Sequence, residues 1–237
     1  MASKKQIILI MGISIALVVL IGWWVDQNNK APELLLDVDE ALEGPLSPEE
    51  LKIDNQPITN NMNRVAVLNT NKGAIEIELF EDVMPITTEN FITLAEDKYY
   101  DGIKFHRIIS GFMVQAGDPN TKGDDVSIYG QGGPGFTIQD EFVEGELLTN
   151  TRGTISMANT GQPNSGGSQF FINTVDNTNL DFNKEPLESK HPVFGRIVNG
   201  MDVVDSISQA EVGQSGLPLE PIVIESVEVK IPEPAIE

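Results

Sequence analysis

From Val65 onward the apolar residues of this chain recur at every second position, and that period restricts its fold more than any other feature. The run AIEIELF, residues 74–80, puts Ile75, Ile77 and Leu79 on one face and Glu76 and Glu78 on the other. Successive side chains of a strand point to opposite faces, so this is a half-buried strand. Val65-Ala66-Val67-Leu68 precedes it, and Asn71-Lys72-Gly73 supplies turn residues between the two, which predicts a hairpin. Pro85 and Thr87 then open a helix to about Asp97, with Phe91, Leu94 and Ala95 on its inner stripe. Short strands follow over 104–109, 112–116, 154–158, 169–174 and 193–198. A second helix fits 201–209 and a last strand 222–229. Many short strands with two helices predict a mainly β fold, and closing such strands into a barrel removes exposed edges.

The chain has 237 residues, enough for one substantial domain with appendages. Its formal net charge of -21 argues against nucleic acid, whose phosphates this surface repels. There are no cysteines, which excludes disulfides, thiolate metal sites and a cysteine nucleophile.

The compartment is read from the start of the chain. After Lys4 and Lys5, residues 7–25 carry no charge and a single hydroxyl, Ser14. In a helix rising 1.5 Å per residue this stretch spans about 28 Å, close to the hydrocarbon thickness of a bilayer. Trp23 and Trp24 close it, as aromatic rings do at a lipid–water boundary, and Asp26 follows. With lysines before the span and acids after it, the expectation is a signal-anchor: a single transmembrane helix, N-terminus cytoplasmic, the remainder extracytoplasmic. The alternative is a cleaved signal peptide. The apolar run exceeds a usual signal core, and no small-x-small site follows.

Residues 26–63 contain Pro32, Pro45, Pro48 and Pro57 among acidic clusters and read as a linker holding the following domain away from the membrane. The expected organisation is therefore an anchor over 1–25, a linker over 26–63, a domain over 64–231 and a short tail over 232–237.

Four motifs within that domain carry chemistry. FHRIISGFMVQAGD, residues 105–118, sets one arginine inside an apolar strand-forming run; GTISMANTG, GSQFFI and KHPVFG follow in order. Together they resemble the cyclophilin family of peptidyl-prolyl cis-trans isomerases over roughly 65–230, and the glycine-rich run after Gly130 is similar to the compact prokaryotic members. The resemblance implies a closed eight-stranded antiparallel barrel capped by two helices. It also implies that Arg107 is the catalytic cation and that Gln115 orients the substrate carbonyl. The proline pocket it implies is formed by Phe112, Met113, Phe171 and Leu180 with His191 at its wall. Ala158 and Asn159 match the segment whose backbone pairs with bound peptide, and Gln169 matches a further lining position. From the residues alone, Phe112, Met113 and Phe171 read as ordinary core.

Isomerisation needs no cofactor and transfers no proton from substrate, so neither histidine is required as an acid or base. His106 alternates away from Arg107 and reads as structural. Two histidines among dispersed carboxylates make no metal site. Residues 130–135 (GQGGPG) lack the Lys-Ser/Thr that follows a phosphate loop. The chain departs from the family pattern at Asn179, where many members carry a tryptophan on the pocket rim, which predicts weak binding of cyclosporin. It departs also at Ser110, at Thr160 and in the longer connection over 182–189.

The expected partners are Pro-containing polypeptides and, through the first helix, a membrane; nucleic acid is not expected. The resulting expectation is a rotamase that assists folding of secreted or membrane proteins. The rival is a binding module or chaperone of the same fold, which holds Pro-containing segments without turnover.

Overall fold

The computed structural model describes residues 63–185 and 190–231, with the side chain of residue 214 excepted. The expected anchor, nearly all of the expected linker and the tail lie outside the described residues. Among the described residues no helix is long and apolar enough to cross a membrane.

The alternating segments become eight strands: β1 Val65–Thr70, β2 Gly73–Leu79, β3 Arg107–Ile109, β4 Met113–Ala116, β5 Thr154–Met157, β6 Phe170–Asn173, β7 Val193–Asn199 and β8 Ile224–Lys230. All paired neighbours are antiparallel, in the order β3-β4-β6-β5-β7-β2-β1-β8. Ile75, Ile77 and Leu79 are fully buried, as the alternation predicts. The first hairpin turns through Asn71 and Lys72 between the paired Thr70 and Gly73. There the Thr70 hydroxyl donates to the Gly73 carbonyl and accepts from Lys72 N–H.

Two helices accompany the sheet, α1 Pro85–Glu96 and α2 Met201–Ser208. Phe91 of α1 stacks on Tyr100 at 5.1 Å and meets Phe170 and Phe194 at 5.7 and 5.4 Å. Burying each such ring is worth about 1.5–3 kcal/mol, so this cluster anchors α1 to the inner face of the sheet. Residue 84, which precedes α1, supplies no side-chain cap. The orphan N–H groups of Ile86 and Thr87 go instead to the Glu141 carboxylate of a distant loop. Val204 and Ile207 bury the inner side of α2. Gly200 starts this helix at φ +84, and a Cβ there would meet Ala74 O at 2.3 Å.

The expected closed barrel is corrected: the sheet is curled but open between β3 and β8. Among the described residues, the backbone hydrogen bonds across the seam come from the chain ahead of these strands. Lys104 bridges Val223, Phe105 N donates to Ile222 O at 2.9 Å and Ile224 N to Ile103 O at 2.8 Å. Beyond that point the chain before β8 is committed elsewhere. Gly213 N binds Leu217 O, Leu219 N binds Glu211 O, and Val212 bridges Pro218, closing a small loop. Its donors are used within that loop, and proline lacks one, so no ladder extends along β3. The strand expected over 104–109 accordingly shortens to β3.

Candidate active site

Arg107 and Gln115 face each other across β3 and β4, which puts both side chains on one face of the sheet. Arg107 Nη1 lies 3.4 Å from Gln115 Oε1 and 4.0 Å from Met113 Sδ. Arg64, Arg152 and Arg196 are each ion-paired with a carboxylate. Arg107 enters none of the ion pairs found among the described residues. Its planar fork of donors is therefore set by neutral groups and remains open to an incoming acceptor.

The orientation of Gln115 is fixed from behind. Its Nε2 donates to Gln169 Oε1 at 3.0 Å, and Gln169 Nε2 donates to the carbonyls of Gly130 and Gly132 at 3.0 and 2.8 Å. Carbonyls only accept, so they define which end of Gln169 is nitrogen, and Gln169 in turn defines Gln115. The residues 130–132 are held by Asp118, which is fully buried and accepts from Asn120 N and Gly130 N. His106, expected to alternate away from Arg107, is buried but shares a cavity lining with it, and burial holds its pKa below the usual histidine value.

Beside Arg107 the chain builds an apolar cup. Met113, Phe171 and Leu180 are buried together, with Phe112 and Ala158 packed on them. His191 closes the wall edge-on to Phe171 at 5.2 Å. Its Nδ1 lies 3.1 Å from Met157 O, and since that oxygen only accepts, Nδ1 carries the hydrogen of the neutral ring. Burial lowers the pKa of His191, with the bond to Met157 opposing it. Ala158 N donates to Gln169 O, and β5 runs out into Ala158–Asn159. The Asn159 side chain is fixed between Lys190 O and Gly161 N. A cavity of about 360 Å³ opens between these elements, lined among others by Gln115, Ala158, Asn159, Thr160 and Gln169. Gln115, Ala158, Asn159 and Gln169 line this cavity, and Ala158 also packs on the cup of Met113, Phe171 and Leu180. Asn179 stands exposed in a short turn before Leu180.

Sequence reasoning did not find what supports the cup. Asn150 is fully buried and donates its backbone N–H and its Nδ2 to Asp181 Oδ1, at 2.8 and 2.9 Å. Nδ2 also reaches His191 O, while Oδ1 accepts from Ser156 Oγ and Asn173 Nδ2. Asn177 Nδ2 continues the network to Asn173 Oδ1 and to Phe112 O, each at 2.8 Å. Phe112, His191 and the residue after Leu180 are therefore tied to β5 and β6 by buried amides. The available signal was Asn173 at the end of a strand-forming run, where asparagine is disfavoured unless its side chain has partners.

The chain has relatives among known proteins. The family described as cyclophilin type peptidyl-prolyl cis-trans isomerase/CLD matches residues 65–229. A Staphylococcus haemolyticus protein named as a candidate peptidyl-prolyl cis-trans isomerase is 38% identical over 198 residues, covering 74% of this chain and 96% of its own length. A Staphylococcus aureus protein of the same name is 39% identical over 186 residues, covering 69% of this chain and 90% of its own. The crystal structure of a cyclophilin type peptidyl-prolyl cis-trans isomerase from Cryptosporidium parvum superposes with a TM-score of 0.62 at 29% identity, over 72% of this chain and 99% of that one. The same protein crystallised in the presence of the dipeptide Ala-Pro gives a TM-score of 0.60.

Proposed function

We propose that this chain, which belongs to the cyclophilin-type peptidyl-prolyl cis-trans isomerase family, rotates Xaa-Pro bonds between Arg107 and the apolar cup beside it. The chain is an enzyme of this class; the assignment of roles to its residues is our reading. Rotation about a peptide bond meets a barrier of about 18–20 kcal/mol, because the nitrogen lone pair is shared with the carbonyl. Only groups that bind the twisted amide better than the planar forms lower it, and each 1.36 kcal/mol so gained is about tenfold in rate.

In this reading the prolyl ring enters the cup of Phe112, Met113, Phe171 and Leu180, where apolar burial fixes it while the chain ahead of it turns. Arg107 donates toward the prolyl nitrogen as its lone pair localises and away from conjugation, a charge that develops only in the twisted state. Gln115, held by Gln169, sets the guanidinium and offers an amide to the substrate carbonyl. Ala158 and Asn159 take the residues before proline by strand addition. His191 serves as a wall and supplies no proton. No bond is broken, so no nucleophile is required.

The observation that carries the reading is the guanidinium of Arg107, set by neutral partners at the lip of a buried apolar cluster. Exchange measured on an Xaa-Pro peptide with the full chain tests it; rates equal to the uncatalysed exchange would overturn it. We assign the enzyme to the folding of secreted or membrane polypeptides, displayed outside the cytoplasm on a helix over residues 7–25. Its support is the uncharged stretch, the flanking lysines and the acids that follow.

A further inference from the structure

Next to the cavity lined by Ala158 and Asn159, and sharing Gln115 and Gly130 with it, lies a second and larger one, of about 860 Å³. Its inner end is made by His106, Arg107 and Gln115. Its outer walls are Val126 and Tyr129 on one side and Leu217 and Leu219 on the other. These same four residues also line an adjoining cavity of about 260 Å³, which reaches Lys104 and Pro221. The two are one groove, starting at the catalytic arginine and running outward between two loops. Val126 and Leu219 are 57% and 61% exposed, so their apolar surface is open to an occupant of the groove.

Both walls are built rather than loose. Tyr129 donates its hydroxyl to Gly123 O at 2.6 Å and lies 3.3 Å from Lys104 Nζ, which fixes the first loop. The second is closed by Gly213–Leu217 and Leu219–Glu211 backbone bonds. It sits directly on β3 through Gly216, which has φ +79 and would place a Cβ 2.6 Å from Ile108 O. Only glycine allows that approach, so the outer wall is carried by the strand that carries Arg107.

We propose that this groove is an extended subsite for the polypeptide substrate, taking a bulky apolar side chain within a few residues after the proline. The proposal rests on the isomerase reading above. With the ring in the cup and the preceding residues on Ala158–Asn159, the chain after proline leaves past Arg107 into the groove. Its apolar walls there select leucine- or phenylalanine-like residues over polar ones. Clients are then segments in which proline is followed by apolar residues, as in unfolded chains whose core residues are still exposed.

The test is kcat/KM of the full chain on peptides sharing one Ala-Pro core. One is followed by leucine and phenylalanine, one by serines, and one carries the apolar residues before the core. The first peptide is expected to exceed the second by about fivefold or more through KM, about what one apolar contact yields. Val126→Ser and Leu219→Ser should bring that ratio close to one. Because the readout is a ratio of two peptides on the same protein, a general loss of folded enzyme cancels. Equal kcat/KM for the first two peptides overturns the subsite and leaves the isomerase intact. A preference carried equally by the third peptide overturns the assignment to the residues after proline. A concentration-dependent dimer abolished by the same substitutions gives the groove to a second copy and overturns the proposal. Failure to isomerise any of the three sinks the reading on which it rests.

Discussion

Asn150 gives two hydrogens, its backbone N–H and one from Nδ2, to a single oxygen of Asp181, and the same Nδ2 reaches the carbonyl of His191. One buried side chain thereby sets the spacing of the two segments that form one wall of the proline cup. Its Oδ1 meanwhile holds Ser156 and Asn173. A buried polar group left without its partner costs about 1–3 kcal/mol, and here several groups lose theirs together. Asn150→Ala is therefore expected to lower stability by roughly 2–4 kcal/mol in chemical denaturation. In the protein that remains folded, KM for a proline peptide should rise more than kcat falls, since binding of the ring is what the wall provides. Unchanged stability together with unchanged KM would remove Asn150 as a support of the cup.

Arg107→Ala should lower kcat/KM on a proline peptide by at least about tenfold without unfolding the chain. Arg107 is half-buried and makes only contacts with neutral side chains, so little stability depends on it. Arg107→Lys should not restore the rate, because a single ammonium cannot reproduce the planar fork held against Gln115. Exchange spectroscopy with circular dichroism as the folding control decides it. A folded alanine variant with near wild-type turnover would end the proposed mechanism.

The reach of sequence reasoning ended where contacts became long-range. Ile75, Ile77 and Leu79 face the core because a strand has period two, a property of seven consecutive residues. Arg107 and Gln115 lie in one motif and meet across one tight hairpin, so their pairing is nearly local. Apart from Ser156, six residues on, Asn150 meets its partners 23 to 41 residues further along the chain, and nothing near position 150 announces them. The cap on α1 is similar: Glu141 serves Thr87 from 54 residues away. The open seam was misread because alternation shows that strands exist, while closure depends on where the loop over 211–219 spends its hydrogen bonds. The wall at Val126 and Leu219 is a juxtaposition of two loops, which periodicity does not describe.

The Glu141 cap gives a prediction of its own. Its carboxylate satisfies Ile86 N, Thr87 N and the Thr87 hydroxyl, and its charge sits at the positive end of α1. Glu141→Ala should cost about 1–2 kcal/mol, and Glu141→Gln less, because the amide oxygen can still accept. Denaturant midpoints for the two variants check the order. Equal losses would show that charge, and not acceptance, is what the helix end requires.

Both described histidines make stability depend on pH in a defined direction. Burial lowers the pKa of His106 and of His191 in the folded chain; at His106 the charge of Asp118 opposes this and that of Arg107 adds to it. Between the folded and unfolded values the unfolded chain binds more protons, so stability rises with pH. Their contribution is fully present above about 6.5, the ordinary histidine value, and is lost as pH falls through the lower folded values. Glu81 and Asp205, held low by hydrogen bonds from Arg64 and Arg152, lose theirs only at more acid pH. Denaturation midpoints should therefore begin to drop below about pH 6.5, ahead of the carboxylate range. His191→Gln should flatten that first decline. A flat profile from pH 7.5 to 5.5 would contradict the burial of both rings.

The remaining prediction concerns where the enzyme works. Residues 7–25 hold no charge over a length that matches a bilayer core, Lys4 and Lys5 precede them, and Asp26 follows Trp23, Trp24 and Val25. Lysines resist translocation far more than acids do, so the N-terminus should stay in the cytoplasm and the isomerase should face outward. Nothing after the apolar stretch resembles the small residues that a signal peptidase cuts beside, so the segment should be retained. Intact mass of the protein extracted from membranes should include the first residues. Protease added outside sealed cells should digest the isomerase domain before lysis. A mature chain starting near Gln27 would turn the anchor into a cleaved signal and leave the compartment unchanged. A domain protected until lysis would reverse the orientation, and with it the assignment to secreted or membrane clients.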